Sequence, residues 1–167
     1  MLTIGVAVPV PEPWGEQLRS HRAAFGDPAA RTVPTHVTLL PPQQTDGDLD
    51  TVYERLSEAA AEHRPYRIHL RGTGTFRPIS PVVFVAVAEG ISPTELLAKS
   101  VRAGLLKGDL EFPYHPHVTV AHHLDDEALD RAFDELAEFE CTFDVTAFSL
   151  YVHDERDGWI THREFAL

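Results

Sequence analysis

Two short segments contain the residue types that proton-transfer chemistry requires, because in each a histidine is followed two residues later by a threonine. "HVTL" begins at His36, and "HVTV" begins 81 residues further on at His117. Their β-branched residues predict two short strands. Residues two apart on a strand project from the same face, so we expect His36 to lie beside Thr38 and His117 beside Thr119.

This set of groups suits the cleavage of a phosphodiester. Histidine titrates near neutral pH, so one ring can accept a proton from the attacking oxygen while the other donates a proton to the departing oxygen. Threonine hydroxyls can donate to the non-bridging oxygens and stabilise the additional charge of the transition state. The scheme requires neither a metal ion nor another cofactor, and we expect none.

A metal site is the alternative interpretation of the second segment, "PYHPHVTVAHHL", which contains four histidines. Imidazole is a common zinc ligand, and His115 and His117 have a spacing that can chelate on a strand, with His122 or His123 as a third ligand. The segment contains no glutamate or aspartate before Asp125, and a metal site there leaves His36 unexplained. We therefore favour proton transfer.

The elements that must position these residues follow from hydrophobic periodicity. The predicted order is strand, helix, strand, helix, strand, strand, then helix, strand, helix, strand, strand. We expect the first H-V-T strand to stop at Pro41 and Pro42, because proline cannot continue a paired strand interior. "SPTELL" predicts a helix with Ser92 as its N-cap. "CTFDVTAFSLYVHD" predicts one continuous strand.

This order is approximately repeated, since each half contains a helix, an H-V-T strand, a helix and two strands. The repetition predicts a duplicated α+β fold. We expect two lobes, with antiparallel sheets, helices outside and, if a pseudo-twofold axis relates the lobes, a central cleft between them. The length of 167 residues is that of one domain, so we expect a single domain over residues 1–167. Under this symmetry the two H-V-T strands can line one cleft.

The composition restricts the partners. A formal net charge of −12 argues against binding to long nucleic acid, because such proteins normally neutralise several phosphates with Lys and Arg. Much of the acidic charge lies in residues 125–140, which we interpret as the solvated face of an amphipathic helix. The first residues predict neither a signal peptide nor a membrane anchor. We expect a cytoplasmic monomer that does not bind membranes.

The paired motifs make the sequence resemble the two-histidine (2H) phosphoesterases, a family that includes 2′-5′ RNA ligases and cyclic nucleotide phosphodiesterases. "HVTL", the extended form "YHPHVTVA" and the terminal segment "FSLYVHDERDGWITHREFAL" carry the resemblance, which spans nearly the whole chain. It implies that His36 and His117 are the catalytic acid and base. It also implies that the hydroxyls of Thr38 and Thr119 contact the phosphate.

Three further residues are candidates for substrate binding. Members of the family often have an arginine five residues beyond the second histidine, where this chain has His122. Arg77 lies in a predicted turn and suits an anion, whereas the ring of Tyr114 suits a stacked nucleobase. Arg77 and Tyr114 are equally compatible with ordinary turn and packing roles.

The resemblance implies a metal-independent phosphodiesterase for small nucleotide or RNA-end phosphodiesters, either a 2′,3′-cyclic phosphate or a 2′-5′ linkage. The reverse reaction would be that of a 2′-5′ RNA ligase. Two alternatives stay open from the sequence. One is a catalytically silent module that binds a nucleotide or an RNA end, and the other is a phosphodiesterase with a non-nucleotide substrate.

Overall fold

Two four-stranded antiparallel sheets carry the two H-V-T segments in a computed structural model that describes all 167 residues. The strands are β1 (Leu2–Pro9), β2 (His36–Thr45), β3 (Tyr66–Thr75), β4 (Val82–Glu89), β5 (His117–His122), β6 (Glu140–Val145), β7 (Ala147–Asp154) and β8 (Gly158–Ala166). The α-helices are α1 (Trp14–Ala24), α2 (Asp50–Ala61), α3 (Ile91–Arg102) and α4 (Asp126–Glu135). A short 3-10 helix covers Pro28–Arg31.

Each H-V-T strand lies at the edge of its sheet. The first sheet has the order β2-β1-β7-β8 and the second has the order β5-β4-β3-β6. The two edge strands β2 and β5 also contact each other, so the sheets meet along the strands that carry the histidines. Helix α1 packs against β5 and helix α3 packs against β2. The fold is therefore α+β with two sheets, as the sequence predicts.

The hydrophobic core is one cluster of 33 buried residues contributed by both sheets and by all four helices. The alternation of buried and exposed residues along β6 shows how the strand pattern produces it, because Cys141, Phe143 and Val145 are buried between exposed neighbours. No helix is long and apolar enough to cross a membrane.

The prediction that the first H-V-T strand stops at Pro41 and Pro42 is wrong, because β2 continues to Thr45. Pairing with β1 skips these residues, since Leu40 lies opposite Val6 and Gln43 lies opposite Ile4. A proline cannot donate a ladder hydrogen bond, but it is tolerated at an irregularity in an edge strand. The two prolines therefore interrupt the pairing of the strand without ending it.

The C-terminal part of the chain also differs from the prediction, because "CTFDVTAFSLYVHD" forms two strands. Thr146 separates β6, in the second sheet, from β7, in the first. The chain thus returns to the first sheet, and β7 and β8 complete it beside β1. The lobes are consequently intertwined: the first sheet is built from both ends of the chain, and the second sheet from its middle.

Helix α3 begins one residue after Gly90, so the prediction that Ser92 is its N-cap is wrong. Gly90 has φ +97°, and a Cβ there would lie 2.5 Å from the backbone oxygen of Arg67. Only glycine combines this left-handed conformation with such a close approach. The hydroxyl of Thr94 donates to the oxygen of Gly90 at 2.6 Å. The approach of the backbone to β3 therefore determines where the helix starts.

Candidate active site

The two H-V-T strands share one burial pattern and one irregularity. In β2 and in β5 the first six residues are partly buried, buried, partly buried, buried, buried and partly buried. The register shifts in both strands after the threonine, so that β1 skips Leu39 and β4 skips Val120. Each shift is a β-bulge, which changes the face that the following residues occupy. The bulge returns His122 to the face of His117.

Both catalytic candidates have the same ring orientation. Nδ1 of His36 lies 2.6 Å from the oxygen of Pro34, and Nδ1 of His117 lies 2.7 Å from the oxygen of His115. A carbonyl oxygen can only accept, so Nδ1 carries a proton in each ring and Nε2 holds the lone pair of the neutral form. The backbone two residues upstream therefore fixes the tautomer in both motifs.

The threonines differ in their contacts. The hydroxyl of Thr38 lies 3.1 Å from Nε2 of His36 and can donate to it. Thr119 is partly exposed, so its hydroxyl is accessible to a ligand. Each histidine therefore has a threonine hydroxyl on its own face of the strand, as the two-residue spacing predicts.

The pKa values of both histidines are lowered. Burial is the main cause for His36, and the positive charge of Arg22 adds to it, whereas the hydrogen bond to Pro34 acts in the opposite direction. Burial also lowers the pKa of His117, opposed by the bond to the oxygen of His115, and the fields of the His115 and His36 rings lower it further. His36 is thus close enough to His117 to affect its titration.

Aromatic side chains surround His117. The rings of Phe76 and Phe84 lie with their centroids 5.0 Å and 5.3 Å from that of His117, and His115 contacts the same two phenylalanines. Phe84 lies opposite Thr119 in the strand pairing. Gly74 lies against the ring of Phe84, where a Cβ would approach to 2.5 Å. The apolar rings account for the burial of His117.

Tyr114 joins the two edge strands. Its hydroxyl donates to the backbone oxygen of Thr38 at 2.6 Å, and one face of its ring lies 4.8 Å from the guanidinium of Arg102. Burial raises the pKa of its phenol, so the hydroxyl stays protonated and can donate. The residue therefore connects the segment before His117 to the strand that carries His36. Base stacking on this ring stays a prediction.

His122 lies at the end of β5 next to a buried ion pair. Its backbone N–H donates to Oδ2 of Asp27 at 3.1 Å, and that oxygen also accepts from Nε of Arg22 at 2.7 Å. The His122 ring stacks on His123, with centroids 3.7 Å apart. Burial, followed by the charges of His123 and Arg22, lowers the pKa of His122 despite the opposing field of Asp27. His122 is therefore mainly neutral near pH 7.

Arg77 is held by the acidic helix α4. Its Nη1 lies 2.9 Å from Asp130 and 3.6 Å from Asp126, and its Nε donates to the hydroxyl of Thr75. The contacts of its guanidinium are therefore with α4 and β3, and none is with an H-V-T residue. A role in binding substrate stays a prediction. No three His, Cys, Asp or Glu side chains lie close enough to share a metal ion.

Sequence reasoning did not identify Arg22, Asp27, Phe76 or Phe84. A signal for Arg22 was present, because it lies four residues after Leu18 and three before Phe25, on the apolar stripe of α1. A charged residue at a buried helical position has a partner in the protein or binds a ligand. Phe84 lies within a continuous apolar run, where periodicity does not assign a face.

Comparison with proteins of known structure shows the same fold over the whole chain. TT0787 of Thermus thermophilus matches with a TM-score of 0.68 and 23% identity, covering all of this chain and 98% of the other. E. coli LigT complexed with 3′-AMP matches with a TM-score of 0.66 and 20% identity, covering 99% of this chain and 98% of the other. These likenesses confirm the predicted fold class.

Sequence comparison identifies the family. A Bacillus anthracis protein named "Putative phosphoesterase" is 27% identical over 146 residues, which cover 84% of this chain and 83% of that protein. The sequence model of the 2′-5′ RNA ligase superfamily matches residues 9–157, a range that includes both H-V-T motifs. The predicted resemblance to two-histidine phosphoesterases is thereby confirmed, and the chain belongs to the 2′-5′ RNA ligase superfamily.

Proposed function

We propose that the protein is a metal-independent phosphodiesterase for small nucleotide phosphodiesters, with a 2′,3′-cyclic phosphate or a 2′-5′ linkage as the bond that is cleaved. The observation that carries the proposal is the matched geometry of the two motifs. Each motif combines a histidine whose Nδ1 is bound to a backbone oxygen with a threonine on the same strand face. Two rings with Nε2 as the titrating atom are what general acid and base catalysis requires.

In the proposed reaction, Nε2 of His117 takes a proton from water as the water oxygen attacks phosphorus. The bond between phosphorus and the ribose oxygen breaks, and Nε2 of His36 gives its proton to that oxygen. Thr38 and Thr119 donate to the non-bridging oxygens, where negative charge increases in the transition state. In the ligation direction, microscopic reversibility exchanges the roles of the two histidines. The opposite assignment of the rings satisfies the same geometry.

The lowered pKa values fit an anionic substrate. In the free protein, burial and the mutual repulsion of the rings disfavour protonation. A phosphodiester anion between the rings offsets both effects, because an opposite charge within a few ångströms favours the charged form of an imidazole. Binding would therefore supply the protonated ring that the scheme needs. The protonation state of the rings therefore favours a substrate that places an anionic phosphate between them.

The nucleotide class is supported by the relatives and by the charge of the protein. E. coli LigT has been crystallised with 3′-AMP and also with ATP and NADP+. The net charge of −12 disfavours long nucleic acid, since an acidic surface repels a polyanion. A mononucleotide, a dinucleotide or a single RNA end presents few phosphates and fits both observations.

The test measures hydrolysis of 2′,3′-cyclic nucleotides and 2′-5′ dinucleotides in EDTA. We expect turnover to survive chelation, and His36→Gln and His117→Gln each to lower kcat/KM by about 10²- to 10⁴-fold, the usual contribution of general acid-base catalysis. His63→Gln is the matched control, because His63 is also partly buried and its Nε2 also contacts a hydroxyl, that of Ser100. The control should leave kcat/KM unchanged.

Other outcomes select the other functions. Tight binding of a nucleotide without turnover would contradict the proposed phosphodiesterase activity and identify a binding module. Turnover of non-nucleotide phosphodiesters alone would contradict the nucleotide substrate and retain the chemistry. Loss of turnover on chelation, or a variant of either histidine with full activity, would refute the mechanism.

A further inference from the structure

A phosphodiester in this cleft needs a permanent cation nearby, and the histidines do not provide one. Burial lowers the pKa of His36, His117 and His122, so these rings are mostly neutral in the free protein near pH 7. The guanidinium of Arg77 is occupied by Asp130. The phosphate of the substrate is negative, and its transition state carries further charge on the non-bridging oxygens.

Arg22 is the arginine that reaches this region. It belongs to α1, which follows β1 of the first sheet in the chain and packs against β5 of the second sheet. Its side chain is only 10% exposed, which is rare for an arginine that has no ligand or complete set of partners. Its Nε and the backbone N–H of His122 bind the same oxygen of Asp27, which places the guanidinium next to the end of β5, and its positive charge lowers the pKa of both His36 and His122.

The hydrogen bonds of Arg22 use one of the five N–H donors of its guanidinium. Nε donates to Oδ2 of Asp27 at 2.7 Å, whereas Nη1 and Nη2 have no hydrogen-bond partner in the protein. Neither terminal nitrogen is among the buried side-chain atoms that lack a hydrogen-bond partner, since the one such atom is Nη1 of Arg102. A guanidinium held through Nε presents a pair of donors that matches two oxygens of a phosphate.

Asp27 holds Arg22 and does not compete for the ligand. Its Oδ1 accepts from the N–H of Ala29 at 2.9 Å, and its Oδ2 accepts from Arg22 and from the N–H of His122. Both carboxylate oxygens are thus directed towards the protein. The contact between Asp27 and the backbone N–H of His122 connects Arg22 on α1 to the end of β5, the strand that carries the second motif.

We propose that Arg22 is a phosphate-binding residue of this cleft, and that its Nη1 and Nη2 hold two non-bridging oxygens of the nucleotide phosphate while Asp27 fixes its orientation. The inference rests on the proposed function for the position of the phosphate between the two motifs. It adds a binding group from α1, outside both motifs, and it assigns to Arg22 the charge that His122 does not carry.

The test compares two variants, each of which removes one partner of the ion pair between Arg22 and Asp27. Arg22→Gln removes the cation, and we expect the Kd of inorganic phosphate, measured by calorimetry, to rise about 10- to 100-fold, as for the loss of a charge-assisted pair of hydrogen bonds. Asp27→Asn keeps the cation and replaces the carboxylate that orients it, so the Kd should rise much less than in Arg22→Gln. Arg19→Gln on the same helix removes an equal charge, from an arginine paired with Glu16, and should change little.

A purely structural ion pair gives a different pattern, because Arg22→Gln and Asp27→Asn would then weaken phosphate binding equally. That result would overturn the inference, as would an unchanged Kd in Arg22→Gln. If Arg22→Gln does not fold, Arg22→Lys keeps the charge and loses the paired donors. A phosphate Kd in Arg22→Lys equal to that of the original protein would then contradict the proposed two-oxygen contact.

Phosphate binding is measured without turnover, so the inference and the proposed function can fail separately. If phosphate binding depends on Arg22 but the protein has no phosphodiesterase activity, the role of Arg22 is retained and the proposed function is refuted. If turnover depends on both histidines but is unchanged in Arg22→Gln, the proposed function is retained and the role of Arg22 is refuted.

Discussion

Tyr114 offers the sharpest test of whether the contact between the two edge strands matters for catalysis. Tyr114→Phe keeps the ring and its contact with Arg102 but removes the hydroxyl that donates to the oxygen of Thr38 at 2.6 Å. Loss of this bond leaves a partly buried carbonyl without its donor, which costs about 1–3 kcal/mol. We expect the free energy of unfolding, measured in urea, to fall by that amount.

The same change should lower activity because Tyr114 lies three residues before His117 and bonds to the backbone of Thr38. A displacement of catalytic groups by about 1 Å can reduce a rate by up to 10²-fold. We therefore expect kcat/KM for a 2′,3′-cyclic nucleotide to fall at least about tenfold, mainly through kcat.

Tyr66→Phe is the matched control, because its hydroxyl also makes one partly buried hydrogen bond, to Thr94 at 2.9 Å, and burial also raises its pKa. It should lose about 1 kcal/mol of stability and keep its kcat/KM. Equal losses of activity in the Tyr114 and Tyr66 variants would refute the reasoning, since stability alone would then explain both. Full activity in Tyr114→Phe would refute it as well.

Three further outcomes follow from the site. Gly74→Ala would place a Cβ 2.5 Å from the ring of Phe84 and displace that ring, which contacts His117, so kcat/KM should fall. The double variant with Phe84→Leu should recover it, and no recovery would contradict this explanation. A bell-shaped profile of kcat/KM against pH should have its maximum below pH 6.5, because the pKa values of His36 and His117 are both lowered; a maximum above pH 7.5 would contradict this. The lowered pKa values also affect stability. Below the unfolded pKa of about 6.5, the histidines of the unfolded chain bind more protons than His36 and His117 of the folded protein. The free energy of unfolding should therefore decrease as pH falls from 7.5 to 5.5, by up to about 1.4 kcal/mol per pH unit for each histidine. His36→Gln should show a smaller slope in urea unfolding, and an equal slope would exclude burial of this ring as the cause.

The sequence predicts the parts of the fold that depend on local periodicity. The predicted order of strands and helices is observed from β1 to α4, and the acidic residues 125–140 contain α4. The sequence does not predict the parts of the fold that depend on contacts between distant elements. Thr146 separates two strands because the chain changes sheets there, a change that no local pattern indicates. The β-bulges after Thr38 and Thr119 likewise depend on pairing with β1 and β4.

The candidate site follows the same division. The pairing of His36 with Thr38 and of His117 with Thr119 is a local consequence of strand geometry. The contribution of Arg22 depends on the packing of α1 from one lobe against β5 of the other, which a single sequence does not specify. The position of His122 could not be deduced either, because a regular strand would place it on the face opposite His117.

The pseudo-symmetry of the cleft raises the question of how two equivalent histidines acquire different roles. The surroundings of the rings are unequal: His36 lies near the cation Arg22 and contacts the hydroxyl of Thr38, whereas His117 lies among Phe76, Phe84 and His115. A nearby cation makes a protonated imidazole a stronger acid. In the proposed reaction, this asymmetry suits His36 as the proton donor and Nε2 of His117 as the group that accepts a proton from water. The fold thus supplies two copies of one motif, and Arg22 of helix α1 gives the first copy a charged neighbour that differs from the surroundings of the second.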